Sequence, residues 1–259
     1  MLIRTCAQSD LGRSRSVNED FFFLDEEDGS FCLVADGMGG HGNGEVASRV
    51  AAEAMARHLR ESTPAVEAPP DGDSSSRNAD RLRAAVRAAN REVLAEVEKD
   101  ATLAGMGATL VALLIEDDTA LVAHVGDSRA YRLREGELEQ LTEDHTWVRE
   151  QITAGFLSEA DARLHPFRSV VTRAVGGAEE VVVDIESIDL RSGDLLLLCS
   201  DGLNAVLSDQ EIADHLQQEE PLETISRRLI ESANEGGGPD NITVVLLEVG
   251  DSPAQPPKA

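Results

Sequence analysis

Runs of apolar residues, some alternating with polar ones and some continuous, recur along the chain and predict more strands than helices. Most of these runs are short, and polar turns separate them. The predicted strands cover residues 3–9, 21–24, 31–35, 108–115, 120–125, 130–134, 138–141, 181–188, 194–199 and 242–249. A further short strand is predicted near residues 169–172, within a mixed segment at 144–175 that also has short amphipathic helices.

Four segments have the apolar period of a helix instead. A helix is predicted over residues 44–60, another over 80–99 and a third over 222–233. Ser208 and Glu211 have the spacing of a capping box and predict the start of a fourth helix. The apolar stripe of the second helix recurs at intervals of three or four residues, at Leu82, Val86, Ala89, Val93 and Val97.

The order of these elements predicts an α+β architecture. The strands occur in consecutive runs joined by tight turns, which favours antiparallel sheets covered by helices over alternating βαβ units. Residues 62–78 are rich in Pro, Ser, Asp and Gly and predict a mobile loop, and residues 251–259 form a Pro-rich tail. A length of 259 residues suits one large domain or two small ones.

The charge of the chain excludes some partners. There are 49 acidic residues against 23 Lys and Arg, a formal net charge of −26, while 41% of residues are hydrophobic. The hydrophobic share is sufficient for a substantial core. Nucleic acids and anionic membranes need a concentrated basic surface, so we expect neither as a partner.

The cysteines indicate a reducing compartment. Cys6, Cys32 and Cys199 each lie in an apolar stretch and form no CxxC pair, which predicts buried free thiols. The first residues lack the apolar core of a signal peptide, and no apolar run reaches the roughly 18 residues of a membrane span. We therefore expect a cytoplasmic protein.

Five aspartates lie beside predicted strands, most of them next to Gly. They are Asp20, Asp36, Asp127, Asp201 and Asp240. A single Asp-Gly pair usually marks a turn. If these strand ends meet at one edge, however, the carboxylates share a pocket that cannot stay ionised without cations. Oxygen ligands without a Cys or His cluster favour Mg²⁺ or Mn²⁺ over Zn²⁺.

Taken in order, the motifs around these aspartates resemble those of the metal-dependent protein phosphatases of type 2C, and in particular the compact bacterial branch. The resemblance covers residues from about 3 to 249. The motifs that carry it are Asp10-x-Gly12-x-x-Arg15-x-x-Asn18-Glu19-Asp20, Val34-Ala35-Asp36-Gly37-Met38-Gly39-Gly40-His41, Gly107-Ala108-Thr109, Val125-Gly126-Asp127-Ser128-Arg129, Ser200-Asp201-Gly202 and Asp240-Asn241.

This resemblance implies a fold and a domain organisation. The family fold is a four-layer αββα sandwich, in which helices flank two central antiparallel sheets. Residues 1–250 would form a single catalytic domain, with residues 142–177 as the variable flap beside the active site.

The resemblance also implies roles for individual residues. Asp36 would bridge two Mn²⁺ or Mg²⁺ ions, with the Gly37 carbonyl on one and Asp201 and Asp240 on the other. Asp127, helped by Asp201, would hold a weaker third ion. The remaining expected site residues include Asp20, a metal ligand that acts mainly through water, and Glu19 and Asn241, which act in a second shell through metal-bound water. Arg15 would be the phosphate-gripping arginine and His145 a further contact to the substrate.

The implied activity is hydrolysis of phosphoserine and phosphothreonine in proteins. A hydroxide bridging two metals would attack phosphorus directly, with Arg15 and Asp36 as the catalytic residues. The expected partners are phosphorylated proteins and a cognate bacterial Ser/Thr kinase, and the expected state is a monomer.

Two other functions compete with this interpretation. Residues 37–42 fit the GxGxxG pattern of dinucleotide-binding enzymes, but Asp36 directly precedes the glycines and a βαβ series is missing. The second alternative is a phosphatase-like module that binds partners without turnover. Such degeneration normally removes metal-ligand aspartates, and all of them are present here.

Overall fold

A computed structural model describes residues 1–25, 29–62 and 74–251 of the chain, without the side chains of His41 and of residues 74–76. Its eleven strands are β1 (Leu2–Asp10), β2 (Asp20–Leu24), β3 (Phe31–Met38), β4 (Gly107–Ala108), β5 (Leu110–Glu116), β6 (Thr119–Val125), β7 (Arg129–Arg134), β8 (Glu137–Gln140), β9 (Asp184–Asp189), β10 (Leu195–Cys199) and β11 (Ile242–Gly250). Its seven α-helices are α1 (Asn43–Glu61), α2 (Ser74–Lys99), α3 (Trp147–Thr153), α4 (Glu159–Arg163), α5 (Asp201–Asn204), α6 (Asp209–Leu216) and α7 (Leu222–Glu235).

The strands form two sheets in which neighbouring strands are antiparallel. Sheet I has the order β1-β11-β10-β7-β8. Sheet II has the order β2-β3-β5-β6-β9, with β4 paired to the end of β3. This arrangement confirms the predicted antiparallel α+β architecture and differs from the parallel sheet that a dinucleotide-binding fold requires.

Side-chain alternation along the strands divides the interior into three apolar layers. In β3, Leu33 and Ala35 pack against α1 and α2, whereas Cys32 and Val34 face sheet I. In sheet I, Leu197 and Leu246 pack against α6 and α7 on the other outer face. Each sheet is thus buried on both faces, which explains why its central strands read as continuous apolar runs. The layers are helix, sheet, sheet and helix, the predicted αββα sandwich.

A local signal explains where α6 begins. The Ser208 side chain accepts the backbone N–H of Glu211, and the Glu211 side chain accepts that of Ser208, so the predicted capping box opens α6.

Cys6, Cys32 and Cys199 are buried and free, which confirms the interpretation of the thiols.

Several predicted boundaries were wrong. Strand β3 extends to Met38 rather than ending at residue 35, and β9 begins at Asp184 rather than at residue 181. Helix α2 begins at Ser74 rather than at residue 80, so the end of the predicted loop 62–78 is helical. The extra turn is polar and gave no apolar signal, yet buried Asn78 anchors it through its side-chain amide to Glu116. Residues 63–73 of that loop, like residues 252–259 of the tail, lie outside the described residues.

Two further differences concern strands. Residues 169–172 form only an isolated bridge between Thr146 and Val171. The strand predicted at 108–115 is interrupted at Thr109, whose backbone N–H donates to the Asp36 carbonyl at 2.9 Å. This interruption brings Thr109 to the end of β3.

None of the helices among the described residues is both long and apolar enough to cross a membrane.

The layer between the sheets should dominate stability. Leu113 lies in this layer and is 1% exposed. We expect Leu113→Ala to lower the free energy of unfolding by about 2–5 kcal/mol, because it removes buried apolar surface and leaves a cavity. Chemical denaturation measures this loss. Leu164→Ala is the control, because Leu164 is 87% exposed and its truncation should change stability by less than about 0.5 kcal/mol. Equal effects of the two changes would contradict the layer assignment.

Candidate metal centre

The five aspartates converge at one edge of the sandwich because of where their strands begin and end. Asp20 opens β2 and lies opposite Asp36 in the β2–β3 register. Asp127 follows β6, Asp201 is the first residue of α5, one residue beyond the end of β10, and Asp240 precedes β11.

Electrostatic coupling shows that these carboxylates share one site. The pKa of Asp36 is raised well above its ordinary value, first by burial and then by the charges of Asp20, Asp201, Asp127 and Asp240. Four carboxylates therefore act on one, as the sequence predicted. Such a cluster disfavours full ionisation unless cations compensate the charge.

The neighbours of Asp36 are affected in the same way. Burial is the largest cause of the raised pKa of Asp20, to about 7, with Asp201 and Asp240 adding to it. Burial, Asp201 and Asp144 raise the pKa of Asp127 to about 8. Burial and Asp240 raise that of Asp201. Each of these shifts opposes ionisation, and a bound divalent cation would act in the opposite direction.

Asp20 shows where a cation would fit. Its Oδ2 accepts hydrogen bonds from the hydroxyls of Ser200 and Thr243, both at 2.7 Å. Its Oδ1 is buried and has no hydrogen-bond partner. A buried, unpartnered carboxylate oxygen is costly unless it faces a cation. Together with the all-oxygen donor set of the cluster, this atom fits Mg²⁺ or Mn²⁺.

Glu19 anchors the start of α1 beside this cluster. Its Oε1 accepts the backbone N–H of Gly44 at 2.9 Å, in the first turn of the helix. Its backbone carbonyl accepts the N–H of Gly37 at 3.0 Å. The chains are so close that a Cβ on Gly37 would lie 2.0 Å from the Gly44 carbonyl oxygen. Only glycine allows this approach, which brings the Asp36-Gly37 peptide next to the helix N-terminus.

Asn241 has a bracing role. Its Oδ1 accepts the Glu19 N–H at 2.8 Å, and its side-chain amide donates to the carbonyls of Leu11 at 2.9 Å and Val17 at 3.1 Å. The side-chain amide of Asn241 thus donates both of its N–H groups to main-chain carbonyls. This position does not fit the expected action through metal-bound water, because Asn241 instead ties the loop that carries Arg15 and Glu19 to the start of β11.

Arg15 lies at the rim of the cluster. Its Nη2 donates to Oδ2 of Asp240 at 2.6 Å, and its side chain is 46% exposed. The hydrogen bond to Asp240 raises the pKa of Arg15. The guanidinium therefore stays charged and accessible at the entrance, with donors in a planar fork suited to phosphate oxygens.

Comparison with known proteins agrees with this geometry. The profile of the protein phosphatase 2C family matches residues 11–246, most of the chain. The chain belongs to the protein phosphatase 2C family. This family assignment accounts for the fold and for the order of the aspartate motifs.

Individual protein phosphatase 2C members are similar over the whole sandwich. The chain is 42% identical over 251 residues to the serine/threonine protein phosphatase PstP of Mycobacterium tuberculosis, covering 97% of this chain and 46% of PstP. It is 37% identical over 243 residues to the serine/threonine phosphatase Stp of Listeria monocytogenes, covering 93% and 94% of the two chains. The chain thus spans about half the length of PstP.

Solved structures of the family superpose closely. The crystal structure of the PstP catalytic domain in complex with two manganese ions has a TM-score of 0.82 at 40% identity. The match covers 96% of this chain and 99% of that domain.

His145 is buried, and its ring is bonded within the protein. Its side chain is 5% exposed, its Nδ1 accepts the Gly126 N–H at 3.1 Å, and its Nε2 lies 3.1 Å from Asp184 Oδ2. Both ring nitrogens therefore have protein partners. The position does not fit the expected contact with a substrate, because the ring is buried behind the Asp127 loop.

Several residues of the centre were not identified from the sequence. Ser200 and Thr243 donate to Asp20, and Asp184 bonds His145. Ser200 precedes Asp201 directly, so its position in the Ser-Asp-Gly motif was an available signal. The sequence contains no such signal for Thr243 or Asp184, because the order of the strands in the sheets is what brings each of them to its partner.

Charge crowding generates a stability prediction. The pKa of Asp20 is raised from its ordinary value of 3.8 to about 7, so this carboxyl stabilises the fold when protonated and loses that contribution as pH rises from about 4 through 7. Asp20→Asn keeps an oxygen for the two hydroxyls and removes the charge. We expect the metal-free variant to melt at least about 2 °C above the parent at pH 8, with a smaller difference at pH 5.

Thermal unfolding with and without Mn²⁺ measures both effects, since the variant should also gain less stability from the metal. Asp117→Asn, in the exposed turn between β5 and β6, is the matched control. An unchanged melting temperature of the metal-free Asp20 variant at pH 8 would contradict the crowding.

Proposed function

We propose that this chain is a Mn²⁺- or Mg²⁺-dependent serine/threonine phosphoprotein phosphatase. The observation that carries the proposal is the coupled aspartate cluster, with the unpartnered Oδ1 of buried Asp20 inside it and the exposed guanidinium of Arg15 at its rim. Family membership and the names of the relatives support the same activity. Since the chain spans 46% of PstP, its activity and partners as a whole protein are part of the proposal.

The proposed metal ligands follow the geometry of the cluster. Asp36 would be shared by two ions, the Gly37 carbonyl would hold one of them, and Asp201 and Asp240 the other. Asp127 would hold a weaker third ion with help from Asp201. Asp20 would bind a metal directly or through water, since its Oδ1 has no hydrogen-bond partner.

When bound, two divalent ions acidify water and neutralise phosphate charge. The chain itself binds and orients the phosphate. Arg15 reaches the rim with a planar fork, and Asp240 holds it there through a 2.6 Å hydrogen bond. Glu19 keeps the Asp36-Gly37 peptide in register through its bond to Gly44.

The thiols support hydrolysis without a cysteine nucleophile. All three cysteines lie in the described residues and are buried. Burial raises the pKa of Cys199 to about 12 and also raises that of Cys32. A thiolate nucleophile needs the opposite shift and access to substrate, so a phosphocysteine route has no candidate here.

The substrate class rests on the surface around the cluster. We propose that residues 1–250 act as one catalytic domain, with residues 142–177 as a flap that contacts phosphorylated proteins. Exposed apolar side chains in this segment support the contact: Phe156, Leu164, Phe167 and Val170. A cognate Ser/Thr kinase, a monomeric state and a cytoplasmic location complete the proposal.

Loss of a central ligand tests the activity directly. We expect Asp36→Asn and Asp240→Asn each to lower Mn²⁺-dependent hydrolysis of a phosphothreonine peptide by more than about 100-fold, beyond the loss typical of an outer-shell partner. Both variants should fold, because each removes a charge from a crowded cluster. Phosphate release and circular dichroism measure the two quantities.

Asp117→Asn again serves as control and should retain full activity. Absence of turnover in folded, Mn²⁺-loaded parent protein would overturn the phosphatase proposal and favour a module that binds without turnover. Full activity of both Asp variants would refute the ligand assignment.

Arg15 separates phosphate binding from metal binding. Arg15→Ala should lower kcat/KM by about 10- to 100-fold, because charge-assisted hydrogen bonds to the phosphate are lost. Arg15→Lys should recover part of that loss, since it keeps the charge but not the fork. Steady-state kinetics measure both variants, with Mn²⁺ affinity expected to change little. Equal activity of Arg15→Ala and the parent would exclude a role in phosphate binding.

A further inference from the structure

His145 holds Gly126, the residue before Asp127, by two hydrogen bonds to its backbone. Its backbone N–H donates to the Gly126 carbonyl at 2.9 Å, and its Nδ1 accepts the Gly126 N–H at 3.1 Å. Gly126 has a φ of +105°, and a Cβ there would lie 2.5 Å from the Thr109 Cβ. The peptide is therefore held in a conformation that favours glycine, and the aspartate that follows is positioned by it.

These contacts fix the tautomer of the imidazole. An amide N–H can only donate, so Nδ1 of His145 is the unprotonated nitrogen and the proton resides on Nε2. That N–H faces Oδ2 of Asp184 at 3.1 Å. Arg173 Nη1 lies 3.2 Å from the same Nε2 and donates to Oδ1 of Asp184 at 3.1 Å, so the Asp184 carboxylate accepts from both donors. Burial, followed by the neighbouring His124, lowers the pKa of His145, which agrees with a neutral ring. Asp184, His145 and Gly126 thus form a directed chain of hydrogen bonds.

The same residues could suggest a different role. His124, His145 and Asp184 each offer a ligand atom, and these atoms lie within 4.8 Å of one another. A metal would need an unprotonated nitrogen on each imidazole. The Nδ1 lone pair of His145 already accepts the Gly126 N–H, and its Nε2 carries the proton. His124 donates from Nε2 to the Glu143 carbonyl and stacks on His145, with ring centroids 4.6 Å apart. The group is a hydrogen-bonded support, and the bonds argue against a metal site.

The residue before His145 supports the opposite side of the same loop. Asp144 accepts two hydrogen bonds from Arg129, from Nε at 2.8 Å and from Nη2 at 2.7 Å. Arg129 follows Asp127 by two residues, and the intervening Ser128 bonds the Thr109 hydroxyl at 2.6 Å. Asp144 and His145 therefore hold the loop on both sides of Asp127, which itself points into the cluster.

We propose that His145 is a positioning residue that orients Asp127 for the weakly bound third metal, with Asp184 fixing the tautomer that this requires. The inference rests on the proposed function, in which Asp127 is a metal ligand. It gives the Asp144-His145 pair a role in metal affinity and not in substrate contact.

Calorimetric titration with Mn²⁺ tests the proposal without relying on turnover. The titration separates low-affinity Mn²⁺ sites, the weak class, from high-affinity sites, the tight class. Asp127→Ala should remove the weak class and so identifies it. His145→Phe keeps the ring and its stacking but loses the acceptor, and should weaken the weak class by about 10-fold or more while leaving the tight class unchanged. His145→Asn is the conservative rescue, because its Oδ1 can accept the Gly126 N–H. It should bind within about threefold of the parent.

Asp184→Ala gives a second, milder test, since Asp184 is 49% exposed and its loss should not prevent folding. It should weaken the weak class in the parent and have no effect in the His145→Asn background, because asparagine cannot reach residue 184. If His145→Phe does not fold, these two Asp184→Ala measurements test the positioning role in its place.

The outcomes separate the two proposals. An unchanged weak class in His145→Phe, an equal loss in both classes, or an equal effect of Asp184→Ala in both backgrounds would overturn the positioning role. Unchanged binding in Asp127→Ala would refute its assignment as a ligand, and the positioning role with it. Normal metal binding without phosphopeptide hydrolysis would overturn the phosphatase proposal and leave the positioning role standing.

Discussion

Mutual repulsion among buried carboxylates at one edge of the sandwich is the constraint on which the rest of the structure depends. Asp36 is destabilised as an anion by burial and by the four other aspartates. The fold must supply enough stability elsewhere to hold such a cluster, and both sheets do so by burying apolar side chains on both faces. The β2–β3 register that buries Leu33 and Ala35 also sets Asp20 opposite Asp36, so core packing and site geometry have one cause.

The same constraint explains how an acidic protein could receive a phosphate. With a net charge of −26, the chain as a whole repels anionic groups. Only cations in the aspartate cluster, together with Arg15 at its rim, reverse the sign of the potential locally. The remaining carboxylates lie mostly on the surface and act at longer range, where salt screens them. Under the proposed function, affinity for a phosphorylated protein would therefore depend on a small metal-loaded area, and the exposed apolar groups of the proposed flap would add contacts that salt does not weaken.

Local patterns made much of the fold and the convergence of the five aspartates predictable. Alternation along strands gave the sandwich, and the Asp-Gly and Asp-Asn pairs beside apolar strands gave the cluster. The start of α2 was missed because its first turn is polar. The supporting shell was missed because it is assembled over long range: Thr243 bonds Asp20 across 223 residues of sequence, and Ser200 does so across 180. His145 was identified as a candidate, but its burial was not predicted. The burial of an imidazole depends on neighbouring strands that a motif does not specify.

Segment 142–177 is bonded to the cluster through His145. The His145 carbonyl accepts the Thr172 N–H at 2.8 Å, and Thr146 bridges Val171 beside it. Its ring binds Gly126 on one side and Asp184 of β9 on the other. A displacement of the segment that moves residues 171–172 therefore acts on Gly126, the residue before Asp127. The segment also reaches the Asp36-Gly37 peptide, because Val175 and Ala108 exchange backbone hydrogen bonds at 2.8 and 2.9 Å and Ala108 pairs with Gly37 in the β3–β4 register. Contacts made by the segment can thus act on both the Asp127 loop and the end of β3.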